Sequence, residues 1–552
     1  MASLAAHIIV ALTLIGCTGE RPSQTGNAGG TLVIITTSDA GSLFPPVVQT
    51  TVARQATELI YDYLADVGSD MNTAGDQGFV PHLAKSWQWS HDSLAISFRI
   101  NDAARWHDSV PVRSDDVRFT FDVYTDPAVG SSSGSQLSNI DSVTTPDSLT
   151  VVFWFKKRYS LQFFDASSQM QILPRHVLGA IARNSLAEAA SRVDPIGSGR
   201  FRFVQRTRGS SLELGPDTNN YRRTPKLSRV IWSVTPSAAV ATTRLFAGEA
   251  DLYENMRREN IDELPSHPNV RTVSLPGTDY AFMQFNLRDP KQHTRPHPLF
   301  GSRELRRALT MAVDRESMVR NVFDTLAVPA IGPTVRAFPT TDPNLRQLPY
   351  DPSRARRVLD SLGWRDSNAD GIRDSHGRPL RFTVIVPSTS LNRIRMGVLL
   401  QDQLRKIGVR IDLDQMEFAT FQARQAARDF DAMLSSWHLG ASPGAVKETW
   451  SGQAARDSSG INYGSYINPR FDAYVDSAIS ALDPAANRRY YNLAYQTAID
   501  DAPAIWLYEP RTVIGIHRRI RFGPMRPDAW WTSLGDWYIP ASEQIVRDRI
   551  RH

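Results

Sequence analysis

"RFTVIVPSTSLNRIRMGVLLQDQLRKIGVRIDLDQMEFATFQARQAARDFDAMLSSW" occupies residues 381–437. Three short runs rich in β-branched and aliphatic residues, 382–386, 409–413 and 430–436, read as strands. Between them, 392–406 and 418–427 read as helices. Strands joined through helices of this length cannot form hairpins. They imply parallel pairing in a sheet covered on both faces, so the fold class is α/β.

Working outward toward the N-terminus, "YDPSRARRVLDSLGW" (350–364) reads as a capped helix. Asp351 is its N-cap, Pro352 stands in the first turn and Gly363 lies just past the end. Leu305, Leu309, Ala312, Val319 and Val322 fit one face of an amphipathic helix over 303–322. Between helix and strand, "RDSNADGIRDSHG" places Asp366, Asn368, Asp370 and Asp374 at positions 1, 3, 5 and 9 of an EF-type calcium loop. Position 12, normally a bidentate Glu, is Gly377. The segment therefore reads either as an incomplete calcium loop or as a polar turn leading into Phe382.

The first third has a different texture. Residues 31–37 (TLVIITT) form a β-branched run and predict a buried strand. Leu94, Ile96, Phe98 and Ile100 alternate with other residues, as do Phe119, Phe121 and Val123, and Leu149, Val151, Phe153 and Phe155. Each alternation predicts a strand with one face on a core. The region 68–193 thus reads as an insertion with antiparallel sheet.

Composition and motifs exclude several functions. Net charge is +5, and no run of five Lys or Arg occurs, so nothing marks a nucleic-acid surface. Neither a Walker-type nor a dinucleotide-type glycine loop is present. Gly130-Ser131-Ser132-Ser133-Gly134 matches G-x-S-x-G, the basis for an alternative reading as a secreted serine hydrolase using Ser132. Its Gly/Ser surroundings read as a loop. His293 and His297 have helical spacing but are flanked by prolines, so they read as exposed loop rather than a zinc helix. No catalytic constellation emerges, which supports a binding protein and not an enzyme.

Cys17 is the only cysteine. It follows an apolar run, 8–15, too short to span a bilayer but suited to a signal-peptide core. Leu14-Ile15-Gly16-Cys17 resembles the lipobox of bacterial lipoproteins, which implies lipidation of Cys17. The polar, Gly-rich residues after it read as a tether.

Several blocks resemble family 5 of the bacterial extracellular solute-binding proteins, the oligopeptide- and dipeptide-binding lipoproteins of ABC importers. They are the segment 80–121 with Trp106-His107-Asp108-Ser109, "DPIGSGRFRF" (194–203), "LFAGEADLY" (245–253), the block 285–319 and "FDAMLSSW" (430–437). The resemblance implies a two-lobed, type II periplasmic-binding-protein-like fold with a β-rich insertion in the first lobe. Its divisions would be 1–30 for signal peptide and tether, 31–67 and 194–284 for lobe I, and 68–193 for the insertion. Lobe II would be 285–507, and 508–552 the return to lobe I. It also implies a small solute, an oligopeptide by the family's habit, bound between lobes and passed to a membrane permease. The protein would be an exported monomer held to the cell envelope by Cys17, facing the periplasm or exterior, with no cofactor beyond the calcium possibility. A nickel complex or a sugar is the alternative cargo.

Trp437 and His438 stand just past the end of a parallel strand, where ligands of open α/β sheets gather. Phe44, in the loop after the first strand, is expected to face them from the other lobe, and Tyr463 is a further candidate ligand contact. In the family's peptide binders an Asp three residues after this Trp pairs with the peptide α-amino group. Here that position is Gly440. Either another acid supplies the charge, or the ligand has no free amine.

Overall fold

A computed structural model describes residues 29–549. Its centre is a twelve-stranded sheet in which one long strand, Ala504–His517, serves two halves. The first part of this strand pairs with Asp279–Phe285 and Ala327–Pro329, and the second with Val270–Pro276 and Leu252–Tyr253. Val270–Pro276 and Asp279–Phe285 are consecutive in sequence. The two chain crossings between halves, at 277–278 and 510–511, therefore lie side by side. A Cβ on Gly277 would come within 2.0 Å of the Pro510 carbonyl oxygen, so the backbones touch where only glycine fits. Pro276 and Pro510 cannot donate to the ladder, which weakens the sheet at this line.

The first half holds the buried strand Thr31–Thr36, parallel to Arg229–Val234 and to Leu252–Tyr253. Strands Ser211–Pro216 and Phe201–Thr207 extend it antiparallel. Five successive residues of Thr31–Thr36 are buried, because both faces are covered. That is why the run is apolar throughout instead of alternating.

The second half contains the α/β run 381–437. Arg381–Pro387 runs parallel to Arg410–Met416 and to Ala432–His438, with Val384 opposite Ala432. Helices Leu391–Arg405 and Phe418–Ala426 make the crossovers, as expected. The helix Pro352–Ser361 is capped as its sequence demands: the Asp351 carboxylate accepts from Arg354 N at 2.7 Å, and Gly363 takes φ +83°. The second-half pairings run from Asp279 to Pro510 and so extend past both ends of 285–507.

The insertion carries a four-stranded antiparallel sheet made of Ala84–Trp89, Ala95–Ile100, Thr150–Phe155 and Ile140–Asp147. Ile96, Phe98, Ile100, Val151 and Phe153 are fully buried on one face. Two sequence expectations fail. Phe119, Phe121 and Val123 lie on a helix, Ser114–Thr125, not a strand. Its buried positions Val117, Thr120, Val123 and Tyr124 follow helical spacing. The Asp116 carboxylate caps the entry by accepting from Arg113 N at 2.8 Å. Aromatic residues on a helix buried over a wide arc mimicked a period of two. The helix over 303–322 is likewise two helices, Arg303–Met311 and Arg315–Phe323. The first ends at Met311, and Asp314 caps the start of the second, accepting from Ser317 N at 3.0 Å. Among the described residues no helix is long and apolar enough to cross a membrane.

Candidate ligand-binding cleft

A cavity of about 510 Å³ opens between the two halves. One wall comes from the first half: the helix Thr51–Ile60, the loop 133–139, the helix Gln162–Ser168 and the C-terminal segment around Arg526. The facing wall is the loop 440–444 and the start of the helix Ala445–Trp450. That loop leaves the C-terminal end of the parallel strand Ala432–His438. It is tied to the chain crossing, because Leu439 N donates to the Thr278 carbonyl at 2.9 Å. Any rotation about residues 277–278 therefore moves the cleft wall with it.

The first-half wall is densely charged. Arg54 Nε donates to Glu58 at 2.9 Å, and Trp531 Nε1 donates to the other Glu58 oxygen at 2.7 Å. Arg526 bridges Asp66 at 3.2 Å and Asp528 at 2.7 Å. The Glu58 carboxylate raises the Arg54 guanidinium above its ordinary range against the pull of burial. Burial likewise opposes the charge of Arg526, but Asp66 and Asp528 overcome it and leave that group raised too. Asp165 differs. Its Oδ2 accepts from the Tyr159 hydroxyl at 2.7 Å, and burial pushes its carboxyl up to about 7.

Gly440 lines the cavity, and a Cβ there would meet nothing within 4 Å. The other sequence candidates stand off it. Trp437 and Tyr463 stack at 6.0 Å with planes 18° apart, half-buried at the edge of the core. The Trp437 indole N–H is enclosed without an acceptor among the described residues. Burial raises the Tyr463 hydroxyl. His438 is exposed, its Nδ1 3.2 Å from Asp279 beside the crossing. Phe44 does not face them: it is 2% exposed and sealed in the first-half core, because the chain turns inward after the first strand.

The sequence reading missed Arg54, Glu58, Asp165 and Arg526. They come from three separate segments, the helix Thr51–Ile60, the helix Gln162–Ser168 and the C-terminal segment, and share no motif beyond the i,i+4 pair Arg54–Glu58. The only signal was indirect: Asp165 sits in an apolar stretch, 161–166, where a lone carboxylate is out of place.

The remaining motifs take other roles. Ser132 lies in a loop between the helix Ser114–Thr125 and the turn Gly134–Leu137, its N–H donating to the Pro46 carbonyl at 3.2 Å. The strand–turn–helix context of a nucleophile elbow is missing there. In the calcium-like loop the oxygens are engaged locally. Asp366 accepts from Gly371 N at 3.0 Å, and Asp370 accepts from Asn368 Nδ2 at 3.0 Å and from Ile372 N at 2.8 Å. Asp374 accepts from the Ser367 hydroxyl at 2.6 Å. Among the described residues no cluster of three or more His, Cys, Asp or Glu is gathered for a metal. His297 is buried, not exposed as expected. Its Nδ1 accepts from Leu299 N and Phe300 N, so Nε2 carries the proton and donates to Asp431 at 3.2 Å. Cys17 lies outside the described residues.

Two lobes on a shared sheet, joined by two adjacent crossings and enclosing a polar cavity, define a solute-binding receptor. Comparison with known proteins agrees. Residues 78–455 match the bacterial extracellular solute-binding proteins, family 5 (middle region), and the chain belongs to that family. The chain is 26% identical to the oligopeptide-binding protein AppA of Bacillus subtilis (strain 168), over 96% of this chain and 98% of that protein. The solved structure of AppA in complex with a nonapeptide superposes with a TM-score of 0.74 at 25% identity, covering 93% of this chain and 99% of that one. CtaP of Listeria monocytogenes, an ABC transporter substrate-binding protein, gives a TM-score of 0.79 at 22% identity, covering 93% and 100%.

Proposed function

We propose that this protein is the peptide-capturing receptor of an ABC importer. The observation that carries the reading is the inter-lobe cavity, about 510 Å³, walled by helices and loops of both lobes. Its size falls within the roughly 300–1,000 Å³ of small-solute sites, which favours a short peptide. The relatives named for oligopeptide binding, and the AppA complex with a nonapeptide, support the class of ligand. In this reading the lobes rotate about residues 277–278 and 510–511, enclose the peptide and present the closed form to a membrane permease. No bond is made or broken, so the chain acts without cofactor. It works as a monomer outside the cytoplasmic membrane, anchored through lipid on Cys17. One acyl chain gives marginal binding, so a firm anchor needs more than one.

Scanning fluorimetry against mixed di- to pentapeptides tests the reading. A ligand at a hundredfold excess over its Kd adds about 2.7 kcal/mol of stability. In a chain this long that raises Tm by about two degrees. Shifts with sugars or nickel–amino-acid complexes, and none with peptides, would replace the reading. For the anchor, labelled palmitate should enter the wild-type chain but not Cys17→Ser. Equal partition of both into the aqueous phase of a detergent extract would remove it.

A further inference from the structure

We propose that the β-rich insertion of the first lobe carries a latch. At the rim of the cleft, the Ser160 N–H donates to the Ile479 carbonyl of the second lobe and favours the closed arrangement. The proposal concerns the lobes and not the cargo, so it goes beyond the reading above and does not depend on which solute is bound.

Three close approaches join the same two surfaces. Ser160 N donates to the Ile479 carbonyl at 2.7 Å, the short end of the range for such bonds. One residue on, Leu161 reaches the facing loop: a Cβ on Gly444 would lie 3.0 Å from its Cδ1. A Cβ on Gly75 would lie 4.0 Å from the Leu482 carbonyl oxygen. Residues 75, 160 and 161 belong to the insertion, and 444, 479 and 482 to the second lobe. Leu161, Gly444 and Ile479 line the cavity, so these approaches stand at its edge.

Each side is built to present its half. Ile479 lies in the last turn of the helix Pro469–Ser480, where carbonyls have no donor within the helix. Ala481 N turns back to the Ser477 and Ala478 carbonyls at 3.0 and 3.2 Å, which leaves the Ile479 oxygen to the other lobe. Across the gap, Ser160 is 1% exposed, and its peptide is held in place on its own lobe. Gly75 N donates to the Ser160 carbonyl at 2.8 Å. Next to it, Gln162 Oε1 accepts from Tyr159 N at 3.1 Å, and Gln162 Nε2 donates to the Ser93 carbonyl at 2.9 Å. Gly444 has φ −58°, which any residue adopts, so conformational freedom is not what the position requires. What glycine offers there is room for Leu161 from the other lobe.

The strength suits a latch and not a lock. One amide–carbonyl bond exchanged for bonds to water shifts an equilibrium by about fivefold. The ligand-free chain therefore still opens, and a solute held by both lobes shifts it further toward closure. Any opening that admits or releases a solute must break this bond, which gives the insertion a part in the timing of capture and release.

Hydrogen exchange of the Ser160 amide in the ligand-free full chain, read by mass spectrometry, tests the latch. Gly444→Leu pushes against Leu161. It should speed exchange at Ser160 about fivefold and enlarge the radius of gyration measured by small-angle scattering. Adding Leu161→Ala clears the space and should return both readings toward wild type, which a misfolded lobe would not do. Exchange at Ser160 as fast in the wild type as in Gly444→Leu, or a radius of gyration that the substitution leaves unchanged, would overturn the proposal. The wild type also decides by itself: a Ser160 amide exchanging at the rate of an unprotected peptide would overturn the proposal whatever the variants do.

Discussion

At the scale of single residues, the contrast between Gly440 and Asp165 makes the sharpest claims. Gly440 lies on the cavity with open space where a side chain would grow. Gly440→Asp should therefore fold normally, with stability within about 0.5 kcal/mol of wild type. It should also tighten binding of free-amine tetrapeptides by about tenfold, measured by titration calorimetry. Weaker binding would show that the loop turns away from the ligand. Asp165 gives a pH dependence. Its carboxyl is raised to about 7 in the ligand-free fold by burial, opposed only by hydrogen bonds from Tyr159 and Gln169. The other charged groups facing this cavity are Glu58, Asp66, Asp528, Glu448, Arg54, Arg526 and Lys447. The folded chain holds this proton more tightly than the unfolded chain, whose Asp has a pKa near 3.9. Stability from this group is therefore fully present below about pH 4 and is lost as pH rises through 7. Above that pH, Asp165→Asn should melt higher than wild type.

At the scale of elements, the parallel β-α-β-α-β run was legible because period, length and capping residues all agreed over 381–437. The helix at Ser114–Thr125 was misread because burial on more than one side blurred its period. The cleft was legible only at Gly440, where a strand end and the family's pattern coincide. Its charged wall was not, since pairs such as Arg526 and Asp66 meet across more than 450 residues. The same long-range logic closes the first lobe. Arg519 pairs with Asp251 and Asp548, which are wholly buried, and Asp548 also accepts from Thr31 N at 2.8 Å. This network joins the first strand, the mid-chain strand region and the C-terminal segment. Removing one partner leaves buried charge uncompensated, so Arg519→Ala should cost about 3–5 kcal/mol. Denaturant unfolding followed by tryptophan fluorescence would check this. A loss below about 1 kcal/mol would mean that the C-terminal segment is not needed to hold the lobe.

At the scale of the whole molecule, the proposed function requires the two lobes to move about adjacent crossings. Gly277 and Pro510 touch there so closely that Gly277→Val must displace one strand. Small-angle scattering should show the peptide-induced contraction of wild type reduced or lost in that variant, with the lobes themselves intact by circular dichroism. The proposed function places a peptide in the cavity between the lobes. The most direct measurement is native mass spectrometry of the full chain purified gently from the cells that make it. The expected result is a bound species that fragments as a short peptide and leaves on denaturation. A chain carrying a sugar or a nickel complex in its place would contradict it.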